Sequence, residues 1–214
     1  MGRYWLLVIG VFFILAAPLN AAKDFSKPVE YAPIHVDDIE PEIVSLEQLS
    51  RGLSVVYYTE FFERHLDQIP RNGSSSFIKK TGPPVFELNH QFGKEEVFKT
   101  GTNRGVAMRM QGYLVVKDTG AFEFQALSND GVIVRLAGKT VISDPEQHSD
   151  RLSNIGHVSI DNAGHYPLVV EYFQRKGTAA LRLSASMFTR VDEDSRFGFF
   201  RSVRAVEADP VNLI

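Results

Sequence analysis

The side chains able to do chemistry are few and scattered. Ser128-Asn129-Asp130-Gly131 sets two oxygen-bearing side chains next to each other ahead of a glycine. Asn and Asp side chains bond nearby backbone amides, and Asp-Gly is a strong turn signal, so one reading of this tetrapeptide is a hairpin turn. Asp37-Asp38 and Asp192-Glu193-Asp194 cluster carboxylates and read as solvated acidic surface. Histidines stand at 35, 65, 90, 148, 157 and 165, and none forms the His-x-x-x-His or His-Glu-x-x-His spacing of a zinc hydrolase. No Gly-x-Ser-x-Gly elbow, phosphate-binding loop or dinucleotide fingerprint is present. A glycosidase's paired carboxylates are defined by a distance in space rather than in sequence, and no residue points to them. The chain therefore reads as a non-enzyme. With no cysteine, it also excludes disulfides, thiolate nucleophiles and iron–sulfur clusters.

One other segment draws notice. Arg196-Phe197-Gly198-Phe199-Phe200-Arg201-Ser202-Val203-Arg204 sets three phenylalanines among three arginines. Either the aromatics pack back on the domain, or Phe197, Phe199, Phe200 and Arg201 form a docking segment, since aromatic and Arg side chains anchor interfaces.

These residues have to be positioned by a chain of 214 residues, 44% hydrophobic and 23% charged, a globular composition. The net charge of −3 argues against nucleic acid as a partner, because phosphate binding needs clustered cations. Arg3, an apolar run over residues 4–17 and a small-residue exit at Ala21-Ala22 predict a secretory signal over residues 1–22. An uncleaved anchor is the rival reading, although the run is short for a spanning helix. Export without cysteine favours a bacterial, periplasmic or secreted product. Residues 23–51 carry Pro28, Pro33 and Pro41 and read as an extended arm. Ile43, Leu46, Leu49 and Leu53 at its end have the spacing of a short amphipathic helical turn.

From Gly52 the texture is that of strands. Residues 53–59 are β-branched and aromatic, and residues 70–84 read as a loop. Residues 112–116 form a strand, then Phe122, Phe124 and Ala126 alternate with Glu123 and Gln125, the period of a half-buried strand. Residues 132–136 and 139–142 follow around Ala137-Gly138, and residues 166–173 and 179–183 close the series. Many short strands predict an all-β sandwich or barrel.

Two stretches resemble the PA14 domain. The first is Asp118-Thr119-Gly120-Ala121-Phe122-Glu123-Phe124 with Ser128-Asn129-Asp130-Gly131 and Leu136-Ala137-Gly138-Lys139. The second runs from Ala163-Gly164-His165-Tyr166 through Glu171-Tyr172-Phe173 to Gly177-Thr178-Ala179-Ala180-Leu181-Arg182-Leu183. The resemblance spans residues 52–184 and implies a PA14-like antiparallel β-sandwich, with the arm before it and a short C-terminal tail, residues 185–214, after it. It also implies a loose function. Adhesins of that family bind sugars through calcium held by two adjacent aspartates joined by a cis peptide bond, whereas elsewhere the domain is a structural piece. In this chain Asn129-Asp130 stands at that place, so Asn129 and Asp130 are the candidate calcium and ligand residues, with one carboxylate replaced by a neutral amide. Asp144, Asp161 or Asn162 are further oxygen donors the folded chain can bring near. Two functions follow: a non-catalytic glycan-binding protein of the cell envelope, or a structural adaptor acting through protein contacts.

Overall fold

The computed structural model describes residues 31–45, 47, 49–59, 64–69, 79–188, 201–202 and 208–209. The signal segment and Phe197, Phe199 and Phe200 lie outside them.

Among the described residues, fourteen short or medium strands form two seven-stranded sheets. One sheet is centred on β5 (Val106–Val116) and β11 (Gly164–Gln174), which pair antiparallel along their whole length from Val116↔Gly164 to Val106↔Gln174. β2 (Ser54–Thr59) and β3 (Lys79–Thr81) extend it on one side, and β7 (Val132–Leu136) and β8 (Lys139–Asp144) on the other. The second sheet is centred on β6 (Gly120–Asn129) and β12 (Ala179–Phe188). It is widened by β10 (Gly156–Ile160), β1 (Ile34–Val36), β4 (Asn89–Gly93) and the two-residue β9 (Arg151–Leu152).

The core follows from the two-residue period. Met108, Met110, Tyr166, Leu168, Val170 and Tyr172 face inward from the first sheet and meet Phe122, Phe124, Ala126, Leu181 and Leu183 from the second. Burying each of the larger of these stabilises by roughly 1.5–3 kcal/mol. The first sheet also carries a smaller apolar cluster, in which the 3-10 turn Leu66–Gln68 contributes Leu66, followed by Ile69, against Tyr58, Ala107, Ile133 and Phe173.

The chain passes between the sheets at most of its turns. β5, β7, β8 and β11 belong to one sheet, and β6, β9, β10 and β12 to the other. Residues 128–131 are therefore not a hairpin turn: they hand the chain from β6 in one sheet to β7 in the other. The alternation of apolar residues predicts a half-buried strand, but it carries no information about which sheet the next strand joins. A hairpin does form at Ala137-Gly138, where φ values of 47° and 78° suit the primed two-residue turn that matches strand twist.

Other expectations change in detail. Part of the expected loop, Lys79–Thr81, is an exposed edge strand on β2; its polar residues give no alternating signal, and lysines at an edge discourage further pairing. In the segment expected to form a short helical turn, Glu47 is in a 3-10 turn and Ile43 is fully exposed, while Leu46 lies outside the described residues. The arm is extended but tightly held. β1 pairs parallel with β10, Ser159 Oγ donates to Asp37 at 2.6 Å, and Tyr113 donates to Glu42 at 2.7 Å. β13 (Arg201–Ser202) pairs with β12, and β14 (Ala208–Asp209) pairs with β5, so the described tail backbone touches both sheets.

Candidate functional site

The corner between β6 and β7 carries the polar pair. Asn129 ends β6 and Asp130 follows across a cis peptide bond. Both are buried, at 5% and 2% exposure. Gly131 follows because nothing larger fits: a Cβ there would stand 2.7 Å from the Pro145 backbone.

Asp130 gathers two other loops. Its Oδ1 accepts from the backbone N–H of His148 at 3.1 Å, and its Oδ2 from that of Arg175 at 2.6 Å. Burial raises the Asp130 pKa, and the two N–H donors offset only part of that. Asn129 Nδ2 donates to Asp150 Oδ1 at 2.7 Å and Thr178 Oγ1 at 3.0 Å, and its carbonyl accepts from the buried Tyr172 hydroxyl at 2.7 Å. The pair thus joins the β8–β9 loop to the turn between β11 and β12.

The β8–β9 loop is braced from behind. Asp144 is buried at the end of β8 and accepts from Arg151 Nε at 2.9 Å and from Arg151 Nη2. His148 Nε2 lies 3.1 Å from Asp144 Oδ2, near enough for an ion pair but off the line of a hydrogen bond. Burial pushes the Asp144 carboxyl up, but His148 and Arg151 outweigh it and bring it down to about 2.

Between these loops opens a cavity of about 480 Å³ lined by Arg64, Asn129, Asp130, Gln147, His148, Ser149, Arg175, Lys176, Gly177 and Thr178. Its lining side chains are polar, its rim is exposed turn, and Asp130 holds two of its loops by the backbone N–H groups of His148 and Arg175. A second cavity, of about 570 Å³, opens at the sandwich edge among Tyr57, Pro83, Pro84, Phe86, Phe92 and Phe98. That one is walled largely by apolar side chains and offers fewer groups to orient a polyhydroxylated ligand.

Of the sequence candidates, Asn129 and Asp130 lie in the polar cavity. Asp144 supports it through His148 but is held by Arg151. Asp161 and Asn162 sit beyond the opposite end of β6, where Ile160 pairs with Gly120, about 30 Å of strand away. Arg201 pairs through its backbone opposite Met187, away from this cavity's lining. Arg64, Gln147, His148, Ser149, Arg175, Lys176, Gly177 and Thr178 were not candidates, because loops remote in sequence carry them.

The donor set does not make a calcium site. Calcium takes six to eight oxygens, commonly from several carboxylates. Among the described lining residues only Asp130 is a carboxylate, both its oxygens accept backbone N–H, and the neighbouring Asp150 is engaged by Asn129 Nδ2 and Gln91 Nε2. Arg64, Arg175 and Lys176 add three positive charges. No group of three His, Asp or Glu side chains placed to hold a metal occurs among the described residues.

A family model for the PA14 domain matches residues 83–193. This chain belongs to the PA14 domain family. The A domain of epithelial adhesin 9 from Candida glabrata, solved with Galβ1-4GlcNAc, is similar to it with a TM-score of 0.56 at 12% identity, over 85% of this chain and 97% of that one. The PA14 domain of the MpAFP antifreeze protein is similar with a TM-score of 0.53 at 12% identity, over 79% of this chain and 96% of that one. An anti-sigma factor domain-containing protein is similar with a TM-score of 0.53 at 16% identity; 76% of this chain is covered, and it spans 49% of that chain's length. At these identities the likeness is one of fold. No curated protein matches the sequence. Among the described residues of this PA14 protein, no helix is long and apolar enough to cross a membrane.

Proposed function

We propose that this protein is an exported, non-catalytic carbohydrate-binding protein of the cell envelope, and that the cavity around Asn129 and Asp130 is its sugar site. One observation carries the reading: a single buried carboxylate, Asp130, sets the two loops that wall a polar cavity at a corner of the PA14 fold. Sugars are bound by fixed hydrogen-bonding groups in such clefts. The adhesin solved with Galβ1-4GlcNAc supports the reading by likeness of fold. The non-enzymatic part rests on the lining. A glycoside hydrolase places two carboxyl groups across the scissile bond, whereas Asp130 is the one carboxylate among the described residues lining this cavity, with both oxygens engaged. Export rests on the signal-like segment over residues 1–22. Binding proceeds without a resident calcium ion, since the donor set does not suit one.

The test is a glycan array followed by calorimetry, with wild-type protein and Ser149→Trp. Ser149 is exposed on the cavity rim, so tryptophan there fills the site while leaving the core intact. The reading expects a sugar ligand whose binding is lost in the variant at unchanged melting temperature. A wild-type protein that binds no glycan, or a variant that binds as well as wild type, contradicts it.

A further inference from the structure

The chain carries a net charge of −3, yet three cations, Arg64, Arg175 and Lys176, line this one cavity. Among its described lining residues the carboxylate is that of Asp130, with Asp150 beside it on Asn129 Nδ2 and Asp144 behind it paired with Arg151. The Asp130 carboxylate is 2% exposed and spends both oxygens on the N–H groups of His148 and Arg175, so it offers a ligand little negative charge. Lys176 and Arg64 are exposed at the rim. Cations gathered around one opening attract an anion together more strongly than any of them would alone, and salt screens that attraction. Arg pairs with a carboxylate through two parallel hydrogen bonds, which fixes the ligand's orientation as well as its charge.

We propose that the ligand is an acidic sugar, one bearing a carboxylate such as a uronic acid, and that the exposed Arg64 and Lys176 receive that carboxylate. The proposal rests on the carbohydrate reading of the cavity and adds the ligand class. The protein's own cations take the place that a bound metal would hold in attracting and orienting the sugar, and the hydroxyl groups face the polar wall formed by Gln147, Ser149 and Thr178. An acidic ligand also fits the donor set that calcium does not.

The test is titration calorimetry of the full chain with methyl galactopyranosiduronate and with the neutral methyl galactopyranoside, in chelator and in millimolar calcium, at two salt concentrations. The uronate is expected to bind about tenfold tighter than the neutral sugar, to weaken as salt rises, and to be indifferent to chelator. Lys176→Glu and Arg64→Glu, both at exposed positions, should each weaken the uronate by about fivefold or more, by a larger factor than they weaken the neutral sugar, at a melting temperature close to that of wild type. Acetate at the same concentration should not compete, which separates a sugar site from simple anion attraction. Equal or tighter binding of the neutral sugar, or binding that appears only with calcium, overturns the acidic-ligand proposal while leaving the sugar site standing. Binding of neither sugar overturns the carbohydrate reading and this proposal with it.

Discussion

The carboxylate of Asp130 accepts a hydrogen bond from the backbone N–H of Arg175 at 2.6 Å, tying the corner where the chain passes from β6 to β7 to the turn where it passes back from β11 to β12. The same carboxylate holds the β8–β9 loop through His148. One buried side chain thus fixes the spacing of both walls of the cavity, so stability and binding are coupled at this residue.

Asp130→Asn keeps the size and removes an acceptor. An amide nitrogen then faces a backbone N–H, leaving at least one buried donor unpaired. The expected cost is about 1–3 kcal/mol of stability, together with loss of sugar binding. Urea denaturation and calorimetry on the same preparation check both. A variant as stable as wild type would show that the two N–H contacts contribute little.

Gly131→Ala tests the close approach behind the corner. The new Cβ would meet the Pro145 carbonyl carbon and oxygen and the Phe173 ring, each at 2.7 Å. Backbone atoms cannot swing aside as a flexible side chain can, so a loss of about 1–3 kcal/mol or more is expected. Thermal denaturation reads it, and an unchanged melting temperature would mean that the β8–β9 loop yields easily.

Acid should loosen the brace behind the cavity. Asp144 sits at about 2 in the folded chain, below an ordinary aspartate near 4. Its folded value is depressed, so its stabilisation is complete above the unfolded value and is lost as pH falls from about 4 towards 2. The amount is about 2 kcal/mol. Asp130 is shifted the other way and gives a smaller, opposite trend. Denaturation curves between pH 6 and 2 should therefore show a steeper acid loss in wild type than in Asp144→Asn. Parallel curves for the two proteins would remove Asp144 from the account.

Truncation after Ser195 removes β13 and β14, which pair with β12 and β5. The truncated protein is expected to lose several degrees of melting temperature but to keep any sugar binding, since β13 and β14 pair with the ends of β12 and β5 that lie away from Arg175 and Thr178. Scanning calorimetry and titration of the truncated chain check both. Full stability after truncation would show that these strand pairs add nothing.

The sandwich was readable because its inner residues follow a period of two: Phe122, Phe124 and Ala126 on β6 needed no further information. Lys79–Thr81 was not readable, because an exposed edge strand needs no apolar alternation. The route of the chain between sheets was also hidden. Asn129-Asp130-Gly131 carries the composition of a hairpin turn, yet it leads from β6 in one sheet to β7 in the other, where the Pro145 backbone leaves room only for glycine. At the site, Asn129 and Asp130 were found through the family resemblance. Arg64, His148 and Lys176 were not, because pocket walls assembled from separate loops leave no spacing signal. Their one sequence trace, basic residues at turns of an acidic chain, is common on any surface.

The most direct test of the sugar site is amide chemical-shift mapping of the isotope-labelled protein during titration with an acidic or neutral glycan. The account predicts that the largest shifts fall on the backbone amides of His148, Ser149, Arg175, Lys176 and Thr178, the two loops gathered by Asp130. Shifts centred instead on the aromatic cleft of Tyr57, Phe86 and Phe92, or no shifts with any sugar, would contradict it.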